Sequence, residues 1–453
     1  MPRAEGYQLG DSIVALATAA GEAGIGVLRL SGPRALAIAN TLCGLPVARS
    51  WRPRHAYLRA FYGSDGELLD RGIALYFPAP HSYTGEDVVE LQGHGSPVLL
   101  EALLAAAVAQ GARLARPGEF TERAFLHGRL DLAQAEAVAD LIHARSRSQA
   151  RAALASLEGR FSEGIDALRQ QILGALALAE AGLDFSEEDL GEAHMAAIAQ
   201  QLRGVQQQLQ TLLQQSRQGA KLGRGARVAL LGRPNVGKSS LLNVLAGRDT
   251  AIITPIAGTT RDILREEITL NGLPVELLDT AGLRESDDPV EQEGVRRSRA
   301  LLARVDWVLL LLDASSGWQA EDAAILAELD AQRCTLLWNK VDLVPAFCPP
   351  ELGPPSLGLS ARTGAGLADL RAHLRAVVGG EDSAPYLARQ RHVLALEAAD
   401  NALQEAAVQL HAGAEELLAQ GLRDAAAALG QITGAVDVEE ILGEIFSRFC
   451  IGK

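Results

Sequence analysis

Cysteine is scarce. The four present, Cys43, Cys334, Cys348 and Cys450, form no C-x-x-C pair and match no disulfide framework. They read as free thiols of a reducing compartment. The nine histidines are scattered without the spacing of a zinc site, and aromatics make up only 4% of the chain. No apolar run approaches the ~18 residues of a membrane span; "WVLLLLDA" (307–314) is the longest of note. The opening "MPRAEGYQLGDSIVALATAAGEAG" sets acids beside a short apolar stretch and does not read as a secretory signal. Positive charge is also in short supply, with 42 Lys and Arg against 56 Asp and Glu, a net charge of -14 and a pI near 5.2. That excludes a protein that coats nucleic acid non-specifically but leaves room for a local basic surface. Together these absences lead us to expect a cytoplasmic chain with no membrane anchor.

What is present is ordinary globular sequence: 453 residues, 48% hydrophobic and 22% charged, enough for about two to four domains. Residues 1–120 mix short strand-like runs with Gly and Pro punctuation, as in "IGVLRLSGP" (25–33), "RGIALYFPAP" (71–80) and "EDVVELQGHG" (86–95). A helix-like "SPVLLEALLAAAVAQGA" follows, so this part reads as an α/β domain. Residues 121–217 turn helical. Leu154, Leu157, Phe161, Ile165, Leu168, Ile172, Leu176, Ala179 and Leu183 form the stripe of one long helix; Ile198, Leu202, Val205, Leu209 and Leu212 mark a second. "SRQGAKLGRGAR" (216–227) reads as a Gly-rich basic linker. Residues 218–380 have strand–loop–helix texture, and "VVGGEDSAPY" (377–386) reads as another linker. Helical periodicity returns in 381–453, through Leu418, Leu422, Ala425, Leu429 and Ile432 to Val438, Ile441, Ile445 and Phe449. The expected fold class is multidomain, α/β plus all-α, with a helical bundle interrupted by an inserted α/β domain.

The central chemistry lies in "VALLGRPNVGKSS" (228–240), an apolar strand running into Gly232-x4-Gly237-Lys238-Ser239 and a helix. Such a P-loop curls backbone N–H groups of Asn235, Val236 and Gly237 around phosphates and adds the positive helix N-terminus with Ser240. Lys238 reaches the β/γ-phosphates and Ser239 ligates Mg²⁺. "PVELLDTAG" (274–282) ends in Asp279, a direct or indirect Mg²⁺ partner, and Gly282, placed to sense a γ-phosphate. "CTLLWNKVD" (334–342) carries Asn339, Lys340 and Asp342. A carboxylate at Asp342 matches the N1–H and N2–H₂ edge of guanine, which adenine lacks, and leaving it unpaired discriminates strongly. "LGLSAR" (357–362) brings Ser360 and Ala361 over the base. In this order, each at a strand end, these motifs identify a Ras-like GTPase. Thr260 in "TPIAGTTRD" (254–262) is a natural Mg²⁺ and γ-phosphate ligand, although the segment also reads as an ordinary switch loop. Leu283 stands where many GTPases carry a water-orienting Gln, so another group must orient water if hydrolysis is to be fast.

These motifs, with "TGEDVVELQGHG", "ARPGEFTERAFLHGRLDLAQAEAVADLI", "IAGTTRD", "DTAGLRES", "LDFSEEDL" and the terminal "FCIGK", make the whole chain similar to the MnmE (TrmE) family of tRNA-modification GTPases. The resemblance implies K⁺ in place of an arginine finger, held by Asn235, Thr259 and the carbonyls of Thr254 and Ile256, with Thr254 and Thr259 also beside the nucleotide. An amide and carbonyls suit a large monovalent cation; Arg261 or Arg284 as an internal finger is the competing idea. It implies Glu291 as the water-orienting acid, one of several in the charged run "DDPVEQEG" (287–294). It implies an N-terminal domain that dimerises and binds a tetrahydrofolate derivative (5,10-methylene or 5-formyl) through Arg29, Glu90, Arg129 and Lys453. By strand alternation alone, Arg29 and Glu90 are either exposed positions or ligand hooks, and exposure is favoured. Arg129 departs from the lysine expected there, which changes the geometry of the cation. The implied activity installs an aminomethyl or carboxymethylaminomethyl group at C5 of the wobble uridine of certain tRNAs. It is shared with FAD-dependent MnmG in a heterotetramer or larger complex, with GTP, Mg²⁺ and K⁺.

Two other functions compete. A ribosome-assembly GTPase would carry a KH-type module with a G-x-x-G loop, and the helical C-terminal segment lacks one. A lipid-anchored switch would rest on Cys450, fourth from the end, but Gly452 is not the aliphatic residue a prenylation box wants. In the family reading the tail reaches back to the first domain and carries Cys450 there, as a reactive thiol or a packed one. Basic clusters at 143–151, 217–227 and 387–392 are either RNA contacts or solvated faces, and no RNA-binding residue is assigned to them.

Overall fold

The computed structural model describes residues 10–184, 191–248, 264–270, 273–279, 305–378, 384–436, 439–447 and 449–452. Two compact units emerge. The first is Met1–Ala139, Leu157–His194 and Glu405–Lys453; the second is Asp140–Ser156 and Met195–Gln404.

In the first unit, strands β1 (Ile13–Leu16), β2 (Ala23–Ser31), β3 (Tyr57–Tyr62), β4 (Leu68–Phe77), β5 (Val88–Gly95) and β6 (Arg113–Leu114) form one sheet in the order β3-β4-β5-β2-β1-β6. Neighbours are antiparallel except β1 and β6. Alternation decides the two faces. Val14, Leu28, Leu30, Val89 and Leu91 bury themselves with helices α1 (Ala35–Leu42) and α2 (Pro97–Ala109). Ile13 and Ala15 turn the other way, onto Phe120 of α3 (Glu119–Leu126). The cross-strand row Ala15, Arg29, Glu90 and Leu75 follows Ala15 onto that second face. Strand alternation alone favours exposure for Arg29 and Glu90, whereas the family resemblance makes them ligand hooks. Because α3 and the chain's tail cover this face, their side chains are only 16% and 17% exposed.

The helical parts follow the periodicity, with one break. The stripe through Leu154 and Phe161 is not one helix: α5 (Arg147–Leu157) ends and α6 (Arg160–Asp184) begins around Gly159, whose φ of +93° is left-handed. After α4 (Leu132–Ile142), which packs its apolar side on Phe446 and Phe449, α6 runs beside α12 (Glu415–Thr433). Arg423 and Glu180 bridge the two at 2.6 Å. The last helix, α13 (Glu439–Ser447), contributes Ile445 and Phe446 to the α4 cluster.

In the second unit, β7 (Ala226–Leu231), β8 (Leu264–Leu270), β9 (Leu273–Asp279), β10 (Trp307–Asp313), β11 (Cys334–Asn339) and β12 (Ser356–Gly358) are ordered β12-β11-β10-β7-β9-β8. All neighbours are parallel except β8 with β9. The continuous burial of "VLLLL" in β10 is what a strand covered on both faces requires. Helices α8 (Lys238–Arg248) and α10 (Leu367–Val378) cover one face, and α9 (Ala320–Ala327) packs Ile325 and Leu326 on the other. Beside this sheet domain, α7 (Gly191–Arg224) and α11 (Gln390–Ala412) lie antiparallel, linked by Gln206 to the Leu403 carbonyl and Gln210 to Asp400. The segment 216–227, expected to be a linker, is helical as far as Arg224. Its Gly219 is there for close packing: a Cβ would lie 2.6 Å from the Tyr386 carbonyl oxygen. The turn comes only at Gly225, with φ +71°, and β7 starts at once.

Among the described residues no helix is long and apolar enough to cross a membrane. The thiols divide into two classes. Burial pushes Cys43 up to about 12 and Cys334 up to about 11, while Cys348 and Cys450 are exposed. A disulfide-exchange reagent at neutral pH should therefore titrate two thiols in the native protein and all four after denaturation. Intact mass after labelling checks the count.

Candidate functional site

The chain leaves β7 at the point where the sheet's order reverses, with β9 on one side and β10 on the other. Ligands of open α/β sheets bind there. The loop that follows is glycine-dependent in two places. At Gly232 (φ +144°) a Cβ would sit 2.3 Å from the Leu311 carbonyl oxygen, and at Gly237 (φ +101°) it would sit 2.3 Å from Asn339 Nδ2. Asn235 is also left-handed, at φ +63°, and exposed. Lys238 folds back over the loop, its Nζ donating to the carbonyls of Gly232 (2.7 Å) and Arg233 (3.0 Å). Ser239 and Ser240 are exposed in the first turn of α8, whose backbone N–H groups face an anion naturally.

Asn339 ends β11 and joins the loops. Only 3% exposed, it donates from Nδ2 to the Val236 carbonyl (2.8 Å) and accepts at Oδ1 from the Ala361 N–H (3.0 Å). Lys340 follows with φ +64°; its Nζ donates to the Asn235 carbonyl (2.9 Å) and pairs with Asp313 at 2.6 Å. Burial alone would raise the Asp313 carboxyl, but hydrogen bonds from Lys340 and Ser315 bring it below the usual carboxylate range. Asp342 accepts from the hydroxyl of buried Ser360 (2.6 Å) and from Arg362 (2.6 Å). The Ser360 hydrogen bond first, then the Arg362 charge, hold Asp342 below its ordinary value. Each carboxylate oxygen keeps a further lone pair, the pair of acceptors guanine needs.

The structure thus brings together Asn235, Val236, Gly237, Lys238, Asn339, Lys340, Asp342, Ser360 and Ala361, with Ser239 and Ser240 at the loop's helix. The backbone of Asp279 closes β9 opposite Leu230 of β7. Thr254, Ile256, Thr259, Thr260, Gly282 and Glu291 lie outside the described residues, as does Lys453. Sequence reasoning missed Asp313 and Arg362. Asp313 carried a signal: it is a charge closing the apolar strand β10 beside the switch point.

A second cluster lies in the first unit. Arg29 donates from Nε to Glu90 Oε1 (3.0 Å) and from Nη1 to the Gly452 carbonyl (3.3 Å). Its guanidinium lies 5.8 Å from the ring centroids of both Tyr83 and Phe120. Gly452 is buried with φ +96°, so close to β1 that a Cβ would meet the Leu16 carbonyl oxygen at 2.2 Å. The Gly118 N–H donates to the Cys450 carbonyl (3.4 Å). Arg129 stands apart: it is exposed, and among the described residues no hydrogen bond joins it to Arg29 or Glu90.

Two outcomes test the nucleotide site. Asn339→Ala leaves the Val236 carbonyl and the Ala361 N–H unpaired, a cost of about 1–3 kcal/mol. GDP affinity measured by calorimetry should fall roughly 10- to 100-fold. Because the Asp342 carboxyl is held below its ordinary value, it stays ionised as pH falls. GDP affinity should show no acid limb down to about pH 5 and should weaken only as pH drops through that depressed value.

The comparisons with known proteins agree with this geometry. The family described as "GTP-binding protein TrmE N-terminus" matches residues 12–129, and "MnmE helical domain" matches residues 132–450. The tRNA modification GTPase MnmE of Stutzerimonas stutzeri is 49% identical over 458 residues, covering 98% of this chain and 99% of that protein. Its namesake in Laribacter hongkongensis is 51% identical over 451 residues, with the same coverage, 98% and 99%. Among solved structures, the G domain of the T. maritima FeoB iron transporter covers 34% of this chain and 98% of that one, at 26% identity and a TM-score of 0.27. That score adds nothing to the fold described above. The two family models decide against the ribosome-assembly alternative. Likeness over nearly its whole length, joined to a phosphate loop and a guanine-matching carboxylate, places this chain in the MnmE family of tRNA modification GTPases.

Proposed function

We propose that this chain is a K⁺-activated GTPase that acts as a homodimer with FAD-dependent MnmG. The product is an aminomethyl or carboxymethylaminomethyl group on C5 of a tRNA wobble uridine. The observation that carries the nucleotide half is the Asn339 brace, which fixes the phosphate loop against the base-side loop beside Asp342. In this reading residues 1–120 dimerise and bind folate, 218–380 form the GTPase module, and 121–217 with 381–453 form the helical domain.

The groups such an enzyme needs find fitting residues. Ser239, exposed at the mouth of the phosphate loop, offers the hydroxyl a hard Mg²⁺ ion wants, with Thr260 as its partner. Asn235, exposed on a left-handed turn of the same loop, offers an amide oxygen to K⁺, with Thr254, Ile256 and Thr259 completing the set. A cation there stabilises charge that develops on the transferring phosphoryl group. Glu291 orients the attacking water, a task Leu283 cannot perform. Hydrolysis drives switching between paired GTPase domains. Glu90 suits the amino and N–H edge of a pterin, and Arg29 suits its carbonyl. Tyr83 and Phe120 hold the Arg29 guanidinium in place, while Lys453 and Arg129 complete the folate set. The tetrahydrofolate derivative supplies the one-carbon unit. Cys450 sits two residues from the Gly452 carbonyl that Arg29 holds, as a thiol near that chemistry.

GTP hydrolysis should be faster in K⁺ than in Na⁺ at matched ionic strength; equal rates would sink the K⁺ assignment. Glu291→Ala should slow turnover by about 10²-fold or more with GTP binding intact. Gly452→Ala and Lys453→Ala should each weaken 5-formyl-tetrahydrofolate binding in equilibrium dialysis without touching GTP affinity.

A further inference from the structure

Three basic stretches that lie far apart in the sequence meet in the second unit. Leu141–Leu157, Met195–Arg224 and Ala384–Leu396 contain no Asp or Glu, in a chain with 56 of them. Buried Gln149 of α5 ties the first stretch to the second, donating from Nε2 to the carbonyls of Leu222 (2.8 Å) and Gly223 (3.3 Å) at the end of α7. Ser156 of α5 ties the first to the third: its hydroxyl donates to the Leu387 carbonyl (2.9 Å), and the Leu387 N–H returns to its Oγ (2.9 Å). Ala152, Ala153 and Leu387 form the apolar floor of the junction, with Leu141 and Leu222 against them.

The acids that reach this junction come from outside the three stretches, and each answers an arginine. Asp140 pairs with Arg389 (2.7 Å), Glu397 with Arg217 (2.7 Å), and Asp306 with Arg224. What remains is a surplus of positive charge. Arg147 and Arg151 are exposed one helical turn apart on α5, and Lys221 is half-buried on α7. Among the described residues no carboxylate pairs with any of these three.

From this we infer that the junction of α5, the end of α7 and residues 387–392 is the surface on which this protein grips the phosphate backbone of its tRNA. The inference rests on the family's tRNA-modifying activity and goes beyond it by assigning the contact to these residues. Cations at the i, i+4 spacing of Arg147 and Arg151 lie about 6 Å apart along the helix axis, a step suited to successive phosphates of one strand. An acidic protein that must hold RNA needs its positive charge gathered in one place, because the field of the whole chain repels a polyanion. The contact is to phosphate, so it gives affinity and orientation and carries no sequence preference.

The test uses the full-length chain and a fluorescently labelled, unmodified tRNA transcript, with anisotropy read across a salt series. The triple variant Arg147→Ala, Arg151→Ala, Lys221→Ala should bind at least about tenfold more weakly. The slope of log affinity against log salt should drop by about 2–3, because three cations no longer release counterions. GTP hydrolysis should stay at the wild-type rate. Arg147→Lys with Arg151→Lys should restore most of the affinity to the arginine positions, since a phosphate contact needs charge more than shape. Arg333→Glu, an exposed charge change elsewhere in this unit, should leave tRNA binding alone. Unaltered affinity and slope in the triple variant would overturn the assignment while leaving the tRNA-modifying reading intact. Failure of the wild-type chain to bind tRNA at any salt would also overturn it, because the grip would then belong to a partner.

Discussion

A buried amide with both ends satisfied organises the nucleotide site. Asn339 sits at the end of a fully buried strand, holds the phosphate loop by one hydrogen bond and the base-side loop by another, and has almost no contact with solvent. Moving either loop would strand a polar group in the interior. The same contact explains why position 237 must be glycine, since any Cβ there collides with the Asn339 amide nitrogen. Lys340 and Asp342 are then delivered by the next turn, and their partners Asp313, Ser360 and Arg362 hold them in place before any base arrives. Recognition of phosphate and recognition of base are thereby coupled through one side chain.

The first unit rests on a different constraint. A sheet covered on both faces turns a charged pair inward, and a charge removed from water must be answered by another charge or by hydrogen bonds. Arg29 is answered by Glu90, by two aromatic rings and by a backbone carbonyl from the far end of the chain. Gly452 makes that last contact by coming closer to β1 than any side chain would permit. The C-terminal segment is therefore part of that charged cluster.

Local features were legible in the sequence; features created by assembly were not. Gly232, Lys238 and Asp342 declare themselves because the phosphate and guanine motifs are short and contiguous, and their chemistry needs those residues at that spacing. The strands and the apolar stripes of α6, α7 and α12 follow from periodicities of two and 3.6. The Asn339 brace, Asp313 and Arg362 depend on which loops the sheet order brings together. Alternation could not say whether Arg29 and Glu90 face solvent or a second layer. Gly159 and Gly225 look alike as breakers, yet one splits a predicted helix and the other ends a helix that had read as a linker. The basic clusters were visible separately, but only packing at Gln149 and Ser156 makes them one surface.

The most direct test of the central claim is nucleoside mass spectrometry of tRNA from cells that lack this protein. The account predicts that C5-modified wobble uridine disappears and that its precursor accumulates. It also predicts that the wild-type chain restores the modification, whereas a chain carrying Asn339→Ala restores less. Unchanged wobble uridines in cells without the protein would contradict it.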